Sequence, residues 1–293
     1  MRKPEWRKTI RKRPVRLFLV LAAAFLAVLA WRRLSPSHVT ILPFTYSAVQ
    51  GSIRLRVRVA EQPHTLELNT LWTQTALGRR LYQQLSQEEV GMDRPSPATD
   101  FAVGNVRSQL FYAEVEETAL HPYTEGIVGC DLFAPSPGFE GRNVRPGARI
   151  TLDFKTNRLK LEDSAELEPL TLPKGTLQAP LLRDGDGPYY LLLPLNNGAS
   201  YRFALGIGSR DVLLPTGAVL FPDPKGRGYV NAAGMVPVTL TVGGQDVTVL
   251  AIALPGAQTT GVLGMNLLAN YRVVIDFRNR RLYLEPPSSP TDL

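Results

Sequence analysis

A mainly β protein of two pseudo-symmetric lobes, following an N-terminal transmembrane helix, is the fold class the sequence predicts. Three observations predict it. The chain repeats itself, Gly and Pro cut it into short segments, and one apolar run lies between basic clusters near its start. Gly and Pro each occur 24 times in 293 residues and are scattered, which favours many strands and turns over long helices. That length suits one large domain or two smaller ones.

The apolar run is Leu17–Trp31. Arg2, Lys3, Arg7, Lys8, Arg11, Lys12, Arg13 and Arg16 precede it, and Arg32 and Arg33 close it. As a helix it reaches about 22 Å, short of a hydrocarbon core of about 30 Å. Snorkelling arginines and an interfacial Trp31 cover the deficit. The basic excess before the run places the N-terminus in the cytoplasm and the rest of the chain outside it, periplasmic or at the cell surface. The alternative is a signal peptide cleaved after Ala30; either way the domain is exported. The formal net charge is +7, but residues 1–33 hold ten basic residues and one acidic residue. The remaining 23 basic and 25 acidic residues nearly balance, so no nucleic-acid partner is expected. A single cysteine, Cys130, excludes an intrachain disulfide, and a small buried apolar role suits it better than a cross-link. His38, His64 and His121 lack metal-ligand spacing, so neither a metal nor a cofactor is expected.

The repeat has three elements in the same order. Residues 150–162, ITLDFKTNRLKLE, match 273–285, VVIDFRNRRLYLE, each reading as a strand, a polar turn and a strand. Upstream, EGIVGCDLF (125–133) matches TGVLGMNLL (260–268). Gly126/Gly261 and Gly129/Gly264 bracket a short buried strand and permit tight backbone approach. A short helix capped near Asp131 or Asn266 follows. Further upstream, hairpins beginning at Gly51 and Gly187 lead into loops at Asn69 and Gly206, with Asn197-Gly198 a turn signal in the second. Asn69 to Gly126 is 57 residues and Gly206 to Gly261 is 55. The insertion 134–148 in the first copy is loop by composition. The expected organisation is a basic tail (1–16), an anchor (17–33), a linker (34–48), lobe 1 (49–162), a linker (163–185), lobe 2 (186–286) and a tail (287–293).

These residues resemble the retropepsin-like aspartic protease family, with two tandem units in one chain. A unit of that family runs hairpin, Asp-Thr-Gly-Ser/Ala loop, flap hairpin, aliphatic-aliphatic-Gly strand, short helix and closing hairpin. In copy 2, YRFALGIGSRDVLL, the Gly243-Gly244 hairpin, GVLGMNLL and YRVVIDFRNRRLYLE follow in that register. The resemblance implies one Asp at the tip of each of two apposed loops, sharing a proton because two like charges that close cannot both ionise. Those positions hold Asn69 and Gly206, so both acids are replaced. Copy 1 keeps Thr70 but has Leu71-Trp72 where Gly and a small residue belong; copy 2 keeps Gly208-Ser209 but has Ile207 in place of Thr. Glu67 lies on the same strand face as Asn69, opposite Ala204 in the other copy, and Asp211 lies beyond the loop tip. Asp153 and Asp276 read as turn caps. No arrangement offers two apposed acids, and no catalytic residue is assigned.

The expected function is a membrane-anchored, exported, non-catalytic module that binds a peptide or protein in the inter-lobe cleft, or assembles a complex. One alternative is an active aspartic endopeptidase with an unorthodox dyad, or with half its site supplied by a partner chain. The other is an accessory subunit of a membrane complex.

Overall fold

In the computed structural model, residues 39–88, 99–104, 106–110, 113–134, 148–162, 167, 169–195, 198–216, 218, 235–253 and 259–286 are described. The run Leu17–Trp31, most of the insertion 134–148, and Asn197 lie outside them. Among the described residues no helix is long and apolar enough to cross a membrane.

Strand β1 (Val39–Ser47) turns into β2 (Ser52–Val59), where Ile53, Leu55, Val57 and Val59 are buried and Arg56 and Arg58 are exposed. That period of two is a strand with one face on a core. β2 pairs with β3 (Gln62–Leu68) through a tight turn in which Ala60 and Glu61 both hold positive φ. The hairpin type that demands this conformation ordinarily recruits Asn and Gly, so composition did not mark the turn. β4 (Ala76–Gly78) leads directly into helix α1 (Arg79–Glu88). The sequence reading missed this helix. Its signal was Leu81, Tyr82 and Leu85, one apolar stripe that packs on the core. Glu117 caps its start, accepting the Arg80 N–H at 2.7 Å.

Lobe 1 continues with β5 (Thr99–Val103), β6 (Val106–Leu110), β7 (Ala113–Val115) and β8 (Gly126–Val128). β8 runs parallel to β3 and antiparallel to β4, β4 runs parallel to β7, and β5 returns to β2. The closing hairpin is β9 (Arg149–Asp153) and β10 (Arg158–Glu162).

The second copy repeats the plan. After β11 (Leu177–Pro180) come β12 (Tyr190–Pro194), β13 (Ser200–Leu205), β14 (Val212–Leu214), β15 (Met235–Val242), β16 (Gln245–Ala253) and β17 (Thr260–Leu263). A one-turn helix α2 (Met265–Leu268) then precedes β18 (Arg272–Asp276) and β19 (Arg281–Glu285). β17 runs parallel to β13 and antiparallel to β14, β14 runs parallel to β16, and a Leu195–Leu240 bridge brings the end of β12 to β15.

The run β11-β19-β18-β9-β10-β1, one end of a 13-stranded sheet that continues through β2 into lobe 1, joins the lobes. Thr151 pairs with Val274, Leu152 with Val273 and Ile150 with Ile275. Thr151 and Val274 are equivalent positions of the two copies, so the pseudo-two-fold axis passes between them. The two segments read as linkers, 34–48 and 163–185, therefore each supply a strand, β1 and β11, to the flanks of this run. β11 pairs with β19, whereas β1 pairs with β10 over its first half and with β2 over its second. The core runs unbroken from lobe to lobe, with both closing hairpins in it.

Two local expectations are corrected. The Gly243-Gly244 turn does not stand free as a flap: a Cβ on Gly243 would lie 2.6 Å from the Gln178 carbonyl, so the tip is seated on β11. The helices near Asp131 and Asn266 are a 3₁₀ turn (Cys130–Leu132) and α2, and Gly129 and Gly264 occupy their N-caps without side-chain bonds. Asp131 and Asn266 reach instead to the strands after the two loops. Asp131 accepts from Thr75 N and Oγ1, and Asn266 Oδ1 accepts from Val212 N.

Candidate functional site at the meeting of two loops

Asn69 follows β3 and Gly206 follows β13, and the same backbone bonds shape both loops. Asn69 N–H donates to Val128 O and Gly206 N–H to Leu263 O, both at 3.1 Å. Trp72 N–H donates to Asn69 O and Ser209 N–H to Gly206 O. Cys130 N–H donates to Trp72 O and Met265 N–H to Ser209 O. The glycines expected to allow close approach do carry close backbone contacts. A Cβ on Gly126 would lie 2.5 Å from Ala76 O, and one on Gly261 2.5 Å from Leu213 O. At Gly129 and Gly264 it would meet the Gln74 and Asp211 backbones.

The loops touch. Buried Thr70 donates its hydroxyl to Leu205 O at 2.5 Å and accepts Ile207 N–H at 2.9 Å, while its own N–H donates to Ile207 O at 3.1 Å. This grip is one-sided: Ile207, fully buried, has no hydroxyl to return it. Gly208 sits at φ +91°, and a Cβ there would lie 2.9 Å from Asn69 Cγ. Only glycine combines that backbone with that approach.

Neither loop tip can ionise, and the second has no room for a side chain. Asn69 makes a local turn, its Oδ1 accepting the Leu71 N–H at 3.1 Å. At Gly206 a Cβ would meet Val262 Cγ1 at 2.3 Å. Gly206 has no positive φ, so the turn does not need glycine there for its backbone angles; the neighbouring valine has taken the room. Leu71, Trp72 and Ser209 are half-buried on the loop shoulders.

One carboxylate does reach the loops. Glu67 is 3% exposed, bonds to the Asn69 side chain, and lies 3.6 Å from His121 Nε2. Burial pushes its carboxyl up to about 7, against the smaller opposing effects of the Asn69 hydrogen bond and the Arg54 charge. Its counterpart Ala204 is also buried and offers no acid from the second copy. Asp211 points elsewhere, pairing with Arg210 Nε at 3.6 Å. Asp153 and Asp276 cap turns by accepting from Lys155, Thr156 and Asn279 N–H groups. Cys130 is buried behind the first loop, its thiol donating to Thr70 O and pushed by burial up to about 12. Among the described residues no cluster of three or more His, Cys, Asp or Glu could hold a metal.

No family model matches the chain, and no curated protein matches it. Its fold does have solved counterparts. The crystal structure of an aspartic proteinase from Irpex lacteus aligns over 87% of this chain and 99% of its own, with a TM-score of 0.52 and 12% sequence identity. That level of identity speaks for the fold alone. The chain has an aspartic-proteinase-like, mainly β fold.

Proposed function

We propose that the chain is a membrane-anchored, exported and non-catalytic module that holds an extended peptide or protein segment in the cleft between its lobes. One observation carries the reading: the loops that would present two acids meet with their shared backbone bonds in place, yet hold Asn69 and Gly206, and Val262 fills the space an acid at 206 would need. A cleft between two β lobes suits an extended chain added strand-wise, where backbone bonds give affinity and side-chain pockets give selectivity. Incubating the purified full chain with a mixed peptide library, then recovering bound peptides by mass spectrometry, tests it. Retained intact peptides support the module. New peptide termini that accumulate with time overturn it.

The second reading, a peptidase with an unorthodox dyad, is favoured by Glu67, a carboxyl near neutrality joined to Asn69. Cleavage lost in Glu67→Ala would select it. The near-complete burial of that carboxyl, and an alanine, Ala204, at the matching position of the second copy, favour the binding module.

A further inference from the structure

We infer that the outer face of the run β11-β19-β18-β9-β10-β1 docks on the anionic lipid headgroups of the membrane that carries the anchor, which turns the loop junction away from the lipid. This rests on the reading of Leu17–Trp31 as that anchor. Strand alternation defines the face. Leu152, Leu159, Ile275 and Leu282 point inward, into the core that also holds Leu68, Leu205 and Ile207 at the loop junction. The alternate residues point outward. Across β1 and β10 the register sets Ile41 beside Lys160 and Pro43 beside Arg158, and across β18 and β19 it sets Asp276 beside Arg281. Arg158 and Arg281 are equivalent positions of the repeat, so the face has a cation on each side of the pseudo-two-fold axis.

Charge and apolar exposure on this face point to one partner. Arg158, Arg272 and Arg281 are exposed and Lys160 is half-buried. The acids lie deeper and are engaged from within the face. Glu162 is buried against Arg149 and Lys160, and Glu285 against Arg272. Asp276 is buried, Asp153 is half-buried, and both cap turns. Among the described residues Arg158 and Arg281 make no ion pair, so solvent meets cations there. Beside them runs an apolar strip. Val39 is 39% exposed, Ile41 is 57% exposed, and Pro43 is exposed. Cations that meet lipid phosphates, flanked by apolar side chains that enter the interface, suit a membrane surface. Chain length favours the same partner. Only residues 34–38 separate Arg33, at the end of the apolar run, from Val39. Fully extended, that stretch reaches about 20 Å. The apolar strip therefore starts within that distance of the anchor's end, and the basic rows follow it at about 5 Å per strand.

Cys130 is buried, so an introduced cysteine takes a thiol label in its place. The full-length protein is reconstituted into phosphatidylcholine vesicles containing about 30% phosphatidylglycerol. A lipid with a nitroxide headgroup should quench bimane on Ile41→Cys about twofold more than bimane on Leu250→Cys, the 50%-exposed leucine of β16. About 0.5 M NaCl, which shortens the screening length to about 4 Å, should remove most of that difference. Arg158→Glu with Arg281→Glu should remove it at low salt, with thermal melts showing the variant folded. Equal quenching at 41 and 250, or a difference that survives both salt and charge reversal, overturns the docking. If the reversed variant fails to fold, the salt series decides alone. A label at 41 shielded from aqueous iodide but not quenched by the lipid, in a chain of dimer mass, would put a second copy on the face and overturn the membrane. Resistance to alkaline extraction reports the anchor separately. A chain that is extracted overturns anchor and docking together, whereas a chain retained but unquenched at 41 overturns the docking alone.

Discussion

Thr70 is the residue on which the loop junction depends. Its hydroxyl satisfies Leu205 O and Ile207 N–H at once, both in a buried site. Thr70→Val keeps the shape and orphans both groups, so it should cost about 2–4 kcal/mol in a denaturant melt. Gly206 makes a second point. Introducing acids by Asn69→Asp with Gly206→Asp drives the new side chain at 206 into Val262 and should lower the melting temperature at acid and neutral pH alike. Adding Val262→Ala makes room. The triple variant should then be less stable at neutral pH than at acid pH, because two facing carboxylates cannot both ionise cheaply. Equal melting at both pH values in the triple variant would mean that the two side chains do not face each other. Glu67 adds a pH dependence of its own. Its folded-state pKa lies above its ordinary value, so its contribution is full below the ordinary Glu range and is lost as pH rises through about 7. The loss amounts to about 3 kcal/mol, the equivalent of that shift, and Glu67→Gln should abolish the slope between about pH 5 and pH 8.

At the scale of elements, β8 and β17 carry the lobes. Each is threaded between a parallel and an antiparallel neighbour, and the glycines at their ends admit crossing backbones. A methyl group at Gly264 would lie 2.1 Å from Asp211 O, and at Gly129 2.5 Å from Gln74 C. Backbone cannot yield as a side-chain tip can, so Gly264→Ala should cost about 3 kcal/mol in the same melt. The closing hairpins show a second device. Arg149 binds Glu162 across β9 and β10, and Arg272 binds Glu285 across β18 and β19, at equivalent positions of the repeat. Burial works against the Glu162 carboxylate, but hydrogen bonds from Arg149 and Lys160 hold it below the usual range. Its contribution is present above the ordinary carboxylate pKa and is lost as pH falls through the lowered value, opposite in sign to that of Glu67. Glu162→Gln should therefore weaken the protein most near neutral pH and least in acid.

Residues 38–293 are two β lobes built by one plan and joined by a sheet to which both contribute. The axis between Thr151 and Val274 makes the two closing hairpins one structure, so neither lobe's core is complete alone. Heat or denaturant should then unfold residues 38–293 in one transition, and calorimetry resolving two separate transitions would contradict that unity. The anchor proposed for Leu17–Trp31 has its own check. A reporter fused after Leu293 should behave as extracytoplasmic, and a mature N-terminus at Trp31 would replace the anchor with a cleaved leader.

The sequence by itself determined the repeat, the β class, the order of the three matched elements in each copy and the absence of two acids at the loop tips. Each rests on local pattern: strand alternation, glycine spacing and residue identity at matched positions. The tertiary structure alone decided the rest. β11 becomes a strand because β19 offers it a partner, and β1 because β10 and β2 pair with its two halves. The Gly243-Gly244 turn is seated on β11 because the lobe curls its hairpin back to the central sheet. Gly206 is held small by Val262, more than fifty residues away in the chain. The carboxyl of Glu67 is pushed up to about 7 because the fold buries it. Such effects depend on which distant atoms share a volume, and a pattern along the chain records neighbours in sequence, not in space.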